Sequence, residues 1–75
     1  MQIELKETQM VARKIEIHYK VVINGKEVWV NKWEEFNELE IDAGIEFFQG
    51  EELLTEEEKE VVIEYIEDEK YINKD

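Results

Sequence analysis

Seventy-five residues without cysteine or serine exclude disulfide staples, thiolate metal sites and the usual Ser or Cys nucleophile–base pairs. An apolar fraction of 43% with eight aromatics is too high for a disordered acidic tail. The net charge of −12 opposes direct binding to nucleic acid or an anionic membrane and favours a basic partner.

The charge is unevenly spread. Residues 1–32 hold six Lys/Arg against four Glu, for +2, whereas residues 33–75 hold three Lys against seventeen Asp/Glu, for −14. No proline, linker or internal repeat divides the chain, so a single domain over 1–75 is expected. No apolar run reaches signal-peptide or bilayer-spanning length, and the expected location is cytoplasmic.

In chain order, Gln2 to Lys6 reads as a short strand with Ile3 and Leu5 on one side. Ile15, Ile17, Tyr19, Val21 and Ile23 then alternate with Lys14, Glu16, His18 and Lys20, the period of a half-buried strand. Asn24-Gly25 follows, a pair that tolerates the positive φ of a type I′ turn, and Glu27 to Val30 resumes the alternation. A two-residue loop there pairs positions whose numbers sum to 49, placing Val21 opposite Val28 and Tyr19 opposite Val30. The apolar sets coincide on one face, so the register is self-consistent. The other face sets Lys20 across from Trp29, with Val22 and His18 alongside.

Residues 31–50 fit two periods. Asn31 followed by Glu34 resembles a helix start, and Trp33, Phe36, Ile41 and Phe48 could line a helix. That spacing predicts a helix from about 32 to 43, closed by Gly44 near the C′ position, then a short extended piece from Ile45 to Phe48. Leu39, Ile41, Ala43, Ile45 and Phe47 also alternate at period two, the competing strand reading. Thr55-Glu56-Glu57-Glu58 forms a capping box opening a helix that should run to about Tyr71. Val61, Val62, Tyr65, Ile66 and Ile72 share one arc of about 140°, with Glu56, Glu57, Glu60, Glu64, Glu67 and Asp68 opposite. The expected fold is α+β. A small antiparallel sheet of about three strands, including a 13–23/26–31 hairpin, packs against two helices, the C-terminal one amphipathic and acidic.

Chemistry is sparse. His18, the sole imidazole, lies among Lys14, Glu16 and Lys20 on a strand face, the setting of a surface histidine and not of a general base. The Asp residues stand apart at 42, 68 and 75, unlike a calcium loop, and Glu60 with Glu64 reads as a solvated helix face. Gly25, Gly44 and Gly50 are too dispersed to cradle a phosphate. No catalytic residue, metal or cofactor is expected, and the chain reads as a non-enzyme.

Arg13, Lys14, Lys20, Lys26 and Lys32 gather near aromatics, but the acid of residues 33–75 opposes phosphate. The sharper candidate is the row Glu56, Glu57, Glu60, Glu64, Glu67 and Asp68, whose carboxylates imitate the charge spacing of a nucleic-acid strand. Like charges at i,i+4 cost about 0.2–0.5 kcal/mol each, an expense that ordinary solvated faces reduce by interspersing Lys. Trp29, an aromatic on the polar face, is the second contact candidate. The expected function is an acidic binding protein, a nucleic-acid mimic that inhibits or regulates a basic, nucleic-acid-handling protein, in the manner of a phage or mobile-element inhibitor. The alternative is a generic interaction or self-assembly module, a homo-oligomer in the latter case, using the sheet edge or Trp29 while the acid serves solubility.

Overall fold

The alternation around Asn24-Gly25 sets the architecture. A computed structural model of the protein describes residues 1–68. Strands β1 (Gln2–Val11), β2 (Lys14–Ile23), β3 (Lys26–Phe36) and β4 (Ile41–Gln49) precede a 3-10 turn (Glu51–Leu53) and helix α1 (Glu56–Glu67). The strands form one antiparallel sheet in sequential order. The class is α+β, with four strands in place of about three and one helix in place of two among the described residues.

Asn24 and Gly25 have φ of 51° and 77°, the two positive values that a type I′ turn requires. The expected register follows, with Val21 opposite Val28, Tyr19 opposite Val30 and Lys20 opposite Trp29. That ladder does not stop at residue 31. It continues to Lys14 opposite Glu35, so residues 32–36 belong to β3 and the helix expected over 32–43 does not form. The reason is long-range. Lys14 to Ile17 expose a row of backbone donors and acceptors beside β3, and extending β3 satisfies them. A helix over the same residues would leave that half of β2 without its partner. The competing period of two then governs β4, and Gly44 is a strand residue opposite Trp33 instead of a helix cap.

β1 extends past Lys6 to Val11 and returns to β2 through Ala12-Arg13. Ala12 has φ 55°, a left-handed conformation that Gly adopts without the steric penalty of a Cβ. Ala12→Gly should therefore stabilise the protein by about 0.5–1 kcal/mol, the relief of strain exceeding the added chain entropy of glycine. Chemical denaturation would measure it, and an unchanged or lower midpoint would show the turn to be unstrained.

One face of the sheet holds the core. Tyr19, Val21, Ile23, Val28 and Val30 are buried with Leu54, Val62 and Ile66, and Ile3, Ile17, Ile45 and Phe47 pack around them. α1 thus lies across this face, supplying Val62 and Ile66, one turn apart. Val61 and Tyr65, expected on the same arc, are each 38% exposed, because the sheet takes a narrower stripe of the helix than the full apolar arc. Tyr71 and Ile72, expected at the end of this helix, lie outside the described residues.

Candidate functional site: a carboxylate stripe and an aromatic sheet face

The N-terminus of α1 fixes which carboxylates face outward. Thr55 Oγ1 accepts from the Glu58 amide at 3.1 Å, and the Thr55 amide donates to Glu58 Oε1 at 2.9 Å, completing the capping box. Glu58 also accepts from Asn24 Nδ2 at 2.7 Å and from Lys26 Nζ at 2.9 Å. The cap thereby pins the helix to the tip of the β2–β3 hairpin and sets its rotation. The hydrogen bond from Asn24, then those from Lys26 and the Thr55 amide, hold the Glu58 carboxyl at about 2, well below its ordinary value. Lys59 is tied on its other side, to Glu56 at 3.2 Å and Glu51 at 3.4 Å. Its ammonium is raised chiefly by the hydrogen bond to Glu56.

With that rotation set, all six predicted helix residues, Glu56, Glu57, Glu60, Glu64, Glu67 and Asp68, are exposed. Glu56 is engaged by Lys59, and Asp68 is the C-cap, its amide donating to Glu64 O at 2.9 Å. The side chains of Glu57, Glu60, Glu64 and Glu67 have no hydrogen-bond or ion-pair partner among the described residues. They span about 15 Å of helix, roughly one charge per 5 Å.

Trp29 is not part of this surface. It lies on the opposite face of the sheet, where no element of the described residues covers it. There its Nε1–H donates to Glu27 Oε2 at 3.2 Å, and Phe48 tilts against it with ring centroids 6.2 Å apart. His18 continues the cluster, 5.0 Å from Phe48, with Nδ1 3.8 Å from Glu7. Phe48 is the extra residue where one step on β3, from Trp29 to Val30, matches two on β4, from Gln49 to Phe47. Reading residues 45–48 as an isolated extended piece concealed this role, since the bulge exists only once β3 and β4 are paired.

Trp33, expected to line a helix, lies over Gly44 of the neighbouring strand, where a Cβ would stand 2.8 Å from Trp33 Cζ2. Only glycine leaves room for the indole there. Lys14 Nζ sits 5.2 Å from the centre of that ring. Of the five basic residues that gather near aromatics in the sequence, Arg13 lies in the β1–β2 turn and the other four are split by the sheet. Lys14 and Lys20 share the aromatic face and are paired with Glu16 and Glu27, whereas Lys26 reaches Glu58 and Lys32 the carbonyl of Ile66, on the helix side. No continuous basic surface results from them.

Among the described residues, no group of three or more His, Cys, Asp or Glu is placed to hold a metal ion. No helix among them is long and apolar enough to cross a membrane. Comparison of the chain with protein-family models, curated proteins and solved structures found no match in any of the three.

Proposed function

We propose that this protein is a non-enzymatic acidic binding protein whose helix α1 offers its carboxylates to a basic protein, one whose own ligand is nucleic acid. The observation that carries the reading is the set Glu57, Glu60, Glu64 and Glu67, exposed in a row with no partner among the described residues. Elsewhere in the molecule lysines are matched to carboxylates, as in Lys26–Glu58, Lys20–Glu27 and Lys14–Glu16. A row left unmatched beside such pairing bears a repulsive cost that a cationic groove would relieve.

The test is competitive. Immobilised protein captures partners from a lysate of its source cells, and these are released by a salt gradient or by added duplex DNA. Release by both, from a nucleic-acid-binding protein, is the expected result. Substituting Glu60, Glu64 and Glu67 together with Gln should weaken that partner roughly ten- to a hundred-fold at low salt, two to three charge contacts being lost. The fold should persist, because these side chains face solvent. Undiminished binding of the triple variant, or partners that resist DNA competition, would overturn the reading.

A further inference from the structure

The sheet face opposite α1 carries chemistry of its own, and it goes beyond the helix stripe. We infer that the surface around Trp29, Phe48 and His18 docks an extended, arginine-bearing segment of a basic protein.

Three observations support this occupant. The first is the aromatic surface itself. Trp29, Phe48 and His18 form a continuous tilted cluster, Phe48 is 49% exposed, and the indole of Trp29 is held in place by Glu27. Such a surface offers π-faces at little entropic cost, because the rings are already positioned.

The second is that this face already accepts a cation. Lys14 lies 5.2 Å from the centre of the Trp33 ring while paired with Glu16 at 3.2 Å, which combines a cation–π contact with a carboxylate. Trp29 lies two pleats along the same strand, with Glu27 beside it. A guanidinium from outside would find that ring near Glu46, Glu27 itself being engaged by the indole and by Lys20. Its flat shape stacks on an indole better than an ammonium does.

The third is charge. Lys14 and Lys20, the lysines that the described strands β2 and β3 place on this face, are matched by Glu16 and Glu27. Glu35 and Glu46 lie on the same face without an ion-pair partner among the described residues. Glu46 stands directly across from Asn31, whose Oδ1 is a buried acceptor with no donor, between Trp29 and Trp33. The exposed charged groups left without an ion-pair partner here, Glu35 and Glu46 among the described residues, are carboxylates. A guanidinium supplies the donors and positive charge that complement them. The same surplus of carboxylates disfavours a second copy of this chain, since two such faces would repel.

The chain provides its own reporter. Trp29 and Trp33 are the only tryptophans, and both lie on this face, so intrinsic fluorescence reports on it. Trp33 also borders a pocket shared with Glu67, and variants of each surface separate the face from the helix stripe. The probe is the peptide acetyl-Gly-Arg-Gly-Arg-Gly-Arg-Gly-amide, added to the full chain at low salt, with a citrulline version as the uncharged isostere. A saturable fluorescence change with the arginine peptide is expected, weakened roughly tenfold or more by citrulline. By calorimetry, Trp29→Ala and, independently, Phe48→Ala should weaken binding by a similar factor, each checked for folding by circular dichroism. The Glu60, Glu64 and Glu67 to Gln variant should bind within about threefold of the parent. Loss of binding in the stripe variant with retention in both aromatic variants would place the peptide on α1 and overturn the inference. So would equal binding of the citrulline peptide, a preference for single-stranded DNA, or a dimer in sedimentation that Trp29→Ala dissociates.

Discussion

Replacing Ile66 with alanine should cost about 2–5 kcal/mol of folding stability, the range for truncating a buried Ile. Ile66 is fully buried, in a core it shares with Tyr19, Val21, Val28 and Val30. In so small a domain, total stability lies toward the lower end of about 5–15 kcal/mol, so one such change removes a large share. The helix has little to fall back on. Its 12 described residues are near the minimum for an isolated helix, and its outer face repels itself. Loss of the Ile66 contact should therefore be felt first as loss of helix. Val61→Ala is the internal control, because Val61 is 38% exposed and its truncation should cost under about 1 kcal/mol. Urea unfolding followed at 222 nm separates the two. Equal costs for both variants would mean that α1 meets the sheet through a different stripe.

Acid is the second strong perturbation, and Glu58 locates it. Its carboxyl is held at about 2 in the folded protein by Asn24, Lys26 and the Thr55 amide, against an ordinary value of 4.5. A group whose folded value is depressed stabilises the native state above its unfolded value, and that contribution disappears as pH falls through the folded value. Parent and Glu58→Gln should accordingly differ most near neutral pH, the parent melting higher. The gap should close between about pH 4.5 and 2. Comparing the two proteins at each pH removes the contribution of every other carboxylate, since both carry the same ones. A gap that stays constant down to pH 2 would show that the ionised carboxylate does not fasten the helix to the hairpin.

The strand–turn–strand segment and the final helix were legible from local chemistry. Asn24-Gly25 admits few turns, and once the turn is set the period of two allows a single register that keeps Tyr19, Val21, Val28 and Val30 on one face. Thr55 and Glu58 satisfy each other within three residues, so the helix start needed no tertiary information. The carboxylates of α1 were legible for the same reason, because a helix with one apolar stripe must turn the rest outward.

Residues 32–49 were decided by the tertiary structure. Trp33, Phe36, Ile41 and Phe48 suit a helix, while Ile41, Ala43, Ile45 and Phe47 suit a strand, and local propensity does not choose between them. The choice is made at a distance, by the unpaired half of β2 from Lys14 to Ile17, which needs residues 32–35 as its ladder. The β1–β2 turn was hidden for a related reason. Ala12-Arg13 contains none of the residues that favour positive φ, and the turn is imposed by pairing on either side of it. The separation of Trp29 from the acidic helix is likewise tertiary. The sequence alone established that Trp29 occupies the strand face opposite Val28 and Val30. That α1 would cover the Val face and leave Trp29, Phe48 and His18 open followed only from the packing of Val62 and Ile66 into the core. The helix buries its apolar stripe against the larger apolar face, and no element among the described residues covers the half-polar face with its paired lysines.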